Sequence, residues 1–417
     1  MRWISLWLQL SSARFFIVLC LVLALSACGN DDFARFTLTY SVAAGDLNGD
    51  GRPDLATANT FFADPPTHPG HVSVILQSQS SPGAFGSAMN LDAGSYTVHV
   101  SIGDLNGDNL MDVVAANATS SSISILFQNS SSPGTFLAAQ NLGVGTHPDG
   151  VAIGDLNGDG HLDIAVTDSG LSVLFQDASA PGTFFPPISL GVSSSSVGIG
   201  DLNADGHVDL VVTATNAGNV SILLQNPAGP GTFLPPQTVA AGFQPFDVAL
   251  ADLNADGRLD LAVANLGTPN NPATASLSVL LNDSTTPGSF LAATNYATDW
   301  ESRSVAVGDL NGDGRVDLVV ANGSTLLHSG PPPKFRDGSF SLFFQDPGTP
   351  GRFLAAVNLP DTNGPMDVAI ADLNGDGLAD IAQADQALAD LADIGVRIRF
   401  QIPGQPGTFR APILVGN

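Results

Sequence analysis

A five-residue string, Asp-Leu-Asn-x-Asp, recurs seven times, beginning at Asp46, Asp104, Asp155, Asp201, Asp252, Asp309 and Asp372. Successive copies stand 58, 51, 46, 51, 57 and 63 residues apart. A second landmark keeps step with it. Pro-Gly begins at Pro82, Pro133, Pro181, Pro230, Pro287, Pro350 and Pro406, each five residues after a Gln or Asn, and a phenylalanine (Phe85 through Phe409) follows at a constant offset. Two landmarks in phase over seven copies confine the chain to architectures that repeat one supersecondary unit.

Each unit reads as β throughout. A short alternating run such as Val305-Ala306-Val307 precedes the acidic string, and an apolar run such as Leu318-Val319-Val320 follows it, as in a buried strand. A third run alternates Ile123, Ile125 and Phe127 with polar residues, and the Pro-Gly turn leads into a fourth near Phe136. Four strands in a unit of about 54 residues suit a propeller blade better than a β-solenoid, whose repeats run to roughly 20 to 30 residues. The expected fold is an all-β, seven-bladed propeller over 41–417, with four-stranded blades and a calcium loop in each. How the ring closes is open: Phe33 to Tyr40 either adds a strand or forms a short tether.

The acidic strings extend to a nine-residue loop. Positions one, three, five and nine are Asp46, Asn48, Asp50 and Asp54; Asp104, Asn106, Asp108 and Asp112; Asp155, Asn157, Asp159 and Asp163; Asp201, Asn203, Asp205 and Asp209. The last three sets are Asp252, Asn254, Asp256 and Asp260; Asp309, Asn311, Asp313 and Asp317; Asp372, Asn374, Asp376 and Asp380. Oxygen ligands at this spacing, a Gly at position six and a carbonyl at position seven can wrap one hard cation. Three carboxylates so close repel one another when no cation stands between them. The seven loops hold 21 of the 39 acidic residues, so the net charge of −26 is chiefly theirs. That charge excludes nucleic acid and anionic membranes as direct partners, which are held by Lys and Arg. An EF-hand is also excluded, since it needs a Glu at position twelve and flanking helices. Here position twelve is Thr57, Ala115, Val166, Val212, Val263, Val320 or Gln383. Ca2+, up to seven ions, suits these flexible all-oxygen loops better than Mg2+. The alternative is Asx-turns without metal.

Loop and repeat length together resemble the FG-GAP/VCBS repeats, known from the seven-bladed propeller of integrin alpha subunits. The resemblance implies that positions one, three, five and nine are side-chain calcium ligands. Unit two departs from it, with Asn109 in place of the position-six Gly; Asn tolerates the left-handed backbone better than most residues.

The N-terminus reads as an export signal. Phe15 to Leu25 is apolar without interruption, too short to span a bilayer, and ends in Leu25-Ser26-Ala27-Cys28. This resembles the bacterial lipobox, which implies a lipoprotein signal peptide over 1–27, an acylated Cys28 and a short tether or closing strand over 28–40. The expected location is the cell envelope, with Gly29 permitting the outer membrane and surface exposure. An ordinary signal peptide with an incidental Cys28 is the alternative. Cys20 lies inside the signal, so the mature chain has no disulfide.

Alternation of strand direction puts the acidic loops and the Pro-Gly turns on one face. Length variation concentrates on the other, in Asn59 to His71, Leu266 to Ala275, Asn322 to Gly338 and Ala384 to Asp393, the last with a helical cover expected within Gln386 to Ala392. Variable loops on a rigid scaffold carry recognition, so Phe61, Phe62, His68, Phe243, Trp300, Lys334, Phe335 and Arg336 form the candidate partner face. The expected function is a calcium-stabilised, lipid-anchored surface module that binds a protein or polysaccharide without catalysis. The rival is a polysaccharide lyase or hydrolase, using His147 or His68 as base, or Asp149 or Asp247 from the connections between blades.

Overall fold

The computed structural model describes residues 36–62, 69–268, 271–323, 325–328, 334–361, 363–385 and 396–416. Seven antiparallel sheets of four strands each form a propeller ring, and every sheet is built from its own consecutive stretch of chain. The first strand of each blade lies at the axis: Phe36–Gly45, Thr97–Gly103, Gly150–Gly154, Val197–Gly200, Pro245–Ala251, Ser302–Gly308 and Pro365–Ala371. Each touches the first strand of the next blade, the last one touching the first.

The second strands explain the unbroken apolar runs. Asp112–Asn117, Asp209–Ala214, Asp260–Asn265, Asp317–Asn322 and Asp380–Asp385 are buried along their whole length, because a neighbouring blade covers each sheet face. Each fully buried Val or Leu contributes about 1.5 to 3 kcal/mol. The core is accordingly a series of clusters shared by adjacent blades. Leu47, Ala56 and Val74 of blade 1, for example, pack with Val100, Val113 and Leu126 of blade 2.

The ring closes by face packing. Val42, Leu55 and Ile75 of blade 1 share a cluster with Leu373, Ala382, Ile398 and Val415 of blade 7. Ser87 pairs with Gly416 in an isolated parallel bridge. Phe36 to Tyr40 form the first half of blade 1's inner strand, where Phe36 pairs with Phe62 and Leu38 with Thr60. The first insertion is therefore mostly a lengthened hairpin, since Asn59 to Phe62 continue the second strand. Alternating Thr and Phe on both sides make that extension favourable as β.

Two other insertions have structure of their own. In blade 6, Thr325–His328 pairs with Lys334–Arg336 as a small separate hairpin. In blade 5, Pro272–Thr274 forms a single 3-10 turn. The expected helical cover at 386–392, His68, and Cys28 with the whole export signal lie outside the described residues. One expectation is corrected. Asp247 belongs to blade 5's inner strand and not to a connection, for its pairing with Ala264 extends the ladder past an irregularity at Pro245.

Candidate metal loops and the opposite face

All seven loops join the first strand of a blade to its second, and all share the bonds from the N–H groups of positions five and six to the carboxylate at position one and from position seven to that at position five. In blade 1, Asp46 Oδ1 accepts the N–H of Gly49 at 2.7 Å and of Asp50 at 3.1 Å, and Oδ2 accepts that of Gly51 at 2.7 Å. Asn48 Oδ1 accepts from Asp50 N, and Asp50 Oδ1 from Arg52 N. These are Asx-turns, and they hold the side-chain oxygens of positions one, three and five on one short loop.

Unit two keeps the frame. Asn109 adopts φ +65° and its N–H reaches Asp104 Oδ2 at 2.8 Å, as the glycines do elsewhere. Position four carries a requirement not read from the sequence. Gly49, Gly107, Gly158, Gly312 and Gly375 are left-handed there, and so are Ala204 (φ +58°) and Ala255 (φ +60°) in blades 4 and 5. A left-handed Ala is strained by contact between Cβ and the following carbonyl.

The position-nine carboxylates have a structural task of their own. Asp54 is 0% exposed; Oδ2 accepts Leu47 N at 2.9 Å and Oδ1 accepts Gln77 N at 2.7 Å, which ties the loop to the third strand. The same pair of bonds recurs at Asp112, Asp163, Asp209, Asp260, Asp317 and Asp380. Burial pushes Asp54, Asp112 and Asp380 up to about 7, against the pull of those N–H groups. Asp163, Asp209, Asp260 and Asp317 are pushed up to about 6 for the same reason. In every loop the carboxylates at positions one and five add to the rise by like-charge repulsion, a smaller cause than burial.

The donor set is all oxygen, as a hard cation requires. Two of its oxygens, Asp50 Oδ2 and Asn254 Oδ1, are buried without a hydrogen-bond partner. Among the described residues, no three His, Cys, Asp or Glu side chains converge on one point. The residues thus fit a calcium ion by donor chemistry and orphaned oxygens, with positions one, three and five on the loop and position nine turned toward the backbone.

Neighbouring blades grip each loop. A Cβ on Gly134 of blade 2's Pro-Gly turn would sit 3.1 Å from Asn48 Cβ in the loop of blade 1. At the seam, Gly83 of blade 1 meets Asn374 of blade 7 at the same distance. In blades 4 to 7 the side-chain amide of the residue five before Pro-Gly also reaches back to the previous loop. Gln225 Nε2 donates to Leu156 O at 2.7 Å, Asn282 Nδ2 to Leu202 O, Gln345 Nε2 to Leu253 O and Gln401 Nε2 to Leu310 O.

Near the axis a further pattern was missed by sequence reasoning. In every blade but the third, where Gly150 takes the place, the side chain of the residue five before the loop bonds across to the next blade. Ser41 Oγ accepts Val100 N, His99 Nδ1 accepts Val151 N, Asp247 Oδ2 accepts Val305 N at 3.0 Å, and Asp367 Oδ2 accepts Val42 N at 3.0 Å. Asp247 and Asp367 also accept Ser196 Oγ and Ser304 Oγ from the preceding blades. Asp247, a candidate acid, is thus engaged in holding blades 4, 5 and 6 together. His147 and Asp149 lie in the approach to blade 3, a different part of the ring.

On the face opposite the loops, Phe243 is 50% exposed, while Phe61 and Trp300 are half-buried. Phe62 ends blade 1's second strand, and Lys334, Phe335 and Arg336 form one strand of the blade 6 hairpin. Blades 6 and 7 also bury ion pairs, Arg303 with Glu301 and Arg399 with Asp361. Among the described residues no helix is long and apolar enough to cross a membrane.

A family model described as an FG-GAP-like repeat matches residues 104–166, 201–263, 266–320 and 333–382, and an FG-GAP repeat model matches 38–75. No curated protein matches the chain. Among solved structures, it is similar to BBS1N in complex with ARL6DN, at 14% identity over 84% of this chain and 90% of that one, with a TM-score of 0.50. Rhamnogalacturonan lyase YesW matches at 14% identity over 84% and 70%, TM-score 0.47. A protein from Lactobacillus plantarum matches at 13% over 91% and 94%, TM-score 0.47. The likeness to BBS1N is one of fold alone.

Proposed function

The chain belongs to the FG-GAP repeat family, and from that premise we propose that it is a calcium-stabilised binding module, held at the cell envelope by an acyl group on Cys28. The observation that carries this reading is the division of labour between the faces. Seven like loops of oxygen donors occupy one side, and the connections that vary in length occupy the other, together with the exposed Phe243.

Positions one, three and five of each loop would hold the ion, with position nine as the fourth carboxylate or amide group of the set. A bound Ca2+ supplies charge neutralisation where three carboxylates share one short loop. Because the Pro-Gly turn and the Gln or Asn amide of the next blade rest on that loop, order in the loop is order in the blade interface. An ion that binds only the folded chain stabilises it by about 2.7 kcal/mol at a hundredfold excess over its dissociation constant. In a chain without disulfides this is a large contribution.

Recognition falls to the opposite face, toward a surface protein or a polysaccharide. The test pairs two measurements on the purified chain. Elemental analysis should find several calcium ions per molecule, and incubation with a polysaccharide panel should give binding without unsaturated or reducing-end products. Products whose formation stops with His147→Ala would replace this reading with the enzymatic one.

A further inference from the structure

The residue eight before each loop closes the connection between blades, and it is left-handed in five of them: Tyr96 (φ +62°), His147 (+52°), Gln244 (+56°), Glu301 (+47°) and Gly364 (+65°). The backbone requires this turn. The carbonyls of Tyr96, Gln244 and Glu301 accept the N–H groups of Ala118, Leu266 and Gly323 at 2.9 to 3.0 Å, just beyond the second strand. Gly364 meets the requirement in blade 7 with no side chain at all. Tyr, His, Gln and Glu meet it at a steric cost that glycine does not incur. Left-handed residues retained in this way point to a function for their side chains.

Packing accounts for one of the four. Tyr96 is buried, with its hydroxyl 2.8 Å from that of Tyr40. Gln244 and Glu301 stand in adjacent blades, 5 and 6, and each follows an aromatic residue at the surface: Phe243, half exposed, and Trp300, partly exposed. The corresponding residues in blades 2, 3 and 7 are Ser95, Thr146 and Asn363. The pairing of an aromatic ring with a polar group is therefore confined to this one arc of the channel mouth.

Both aromatics sit on held backbone. Phe243 O accepts Gly267 N at 3.1 Å. Trp300 N donates to Asp299 Oδ1 at 3.0 Å, and Asp299 Oδ2 accepts Ser339 Oγ at 3.0 Å. Gln244 has no side-chain hydrogen bond among the described residues, so its amide is left to a ligand or water. Glu301 keeps Arg303 Nη2 at 2.5 Å, which takes up the positive charge of that buried arginine.

We infer that Phe243, Gln244, Trp300 and Glu301 form a subsite for a neutral oligosaccharide at the channel mouth of blades 5 and 6. This rests on the binding-module reading and names its ligand class. Two aromatic side chains on held backbone suit the apolar faces of sugar rings, and an amide and a carboxylate suit their hydroxyls. A uronate would meet Glu301 and a chain of net charge −26 with Arg303 already neutralised.

The chain has three tryptophans, Trp3, Trp7 and Trp300. The first two lie in the proposed export signal, so in the mature chain Trp300 emission reports this arc alone. Titrated in calcium with cellohexaose and mannohexaose, it should shift saturably with at least one of them. Phe243→Ala and Gln244→Gly should each weaken that binding about tenfold. Gln244→Gly should leave the melting temperature unchanged or raise it, since it relieves the left-handed residue. Silence with both neutral sugars, a shift with hexagalacturonate only, or a shift that both substitutions leave untouched would overturn the subsite. Capture of a protein partner by a chain silent to both sugars would sink the subsite and keep the binding module; conversion of bound sugar to product would keep the subsite and sink the non-catalytic reading.

Discussion

On the loop face every blade repeats one Asx-turn frame, from Asp46 to Asp372, while on the opposite face three long connections differ among the described residues. Blade 1 lengthens its hairpin to Phe62, blade 5 inserts a 3-10 turn and blade 6 inserts a hairpin of its own. The first face is constrained because each loop is also the seat of its neighbour's Pro-Gly turn, its amide, or both. A change there is felt across an interface. Connections on the second face are not repeated from blade to blade, so a change in one has no counterpart to match. The comparison separates what holds the molecule together from what it presents.

Removing metal should break the symmetry of that comparison most severely. EDTA should lower the melting temperature by at least about 10 °C through loss of linked binding energy. A superimposable melt with and without EDTA would remove metal from the loop face. Next in size, Asp309→Asn with Asp313→Asn should cost about 2.7 kcal/mol in excess calcium and almost nothing in EDTA. An equal loss in both conditions would mean that these carboxylates serve the Asx-turns alone.

At the axis, Asp367→Ala strips partners from Val42 N–H and Ser304 O–H, and should cost about 2 kcal/mol whether or not calcium is present. Denaturant titration would measure it, and a calcium-dependent loss would misplace Asp367 in this scheme. A smaller gain should come from Ala204→Gly and Ala255→Gly, each stabilising by about 1 kcal/mol as left-handed strain is relieved. Gly49→Ala should give the opposite sign in the same thermal assay. Smallest of all, Phe243→Ala on the variable face should change stability by less than about 0.5 kcal/mol. A loss as large as those on the loop face would erase the distinction.

Sequence periodicity was enough to reach the blade count, the four strands and the placement of loops and turns on one side, because each rests on residues repeated seven times. The inter-blade bonds near the axis were hidden for the opposite reason. Ser41, His99, Ser196, Asp247, Ser304 and Asp367 occupy one structural position with three different chemistries, so no motif announces them. Position four of the loop was masked because Ala204 and Ala255 look harmless until their φ angles are known. Asp247 looked like a free acid in a connection, since Pro245 obscured the start of its strand. The clustering of Phe243 and Trp300 with left-handed polar neighbours depends on backbone conformation, which residue spacing does not reveal.

Blades 1 and 7 share no strand. Many rings fasten their ends by completing one blade from both termini, but here the junction consists of packed side chains, Asp367 on Val42 N–H and a single bridge at Gly416. The inner strand of blade 1 begins at Phe36, in one of the two blades that form this junction. With the N-terminus anchored as proposed, a pull from a captured partner would enter beside the one contact that no peptide bond crosses. Every other contact between neighbouring blades is backed by a covalent connection, so under tension the ring would part here first, opening like a clasp with each blade still whole.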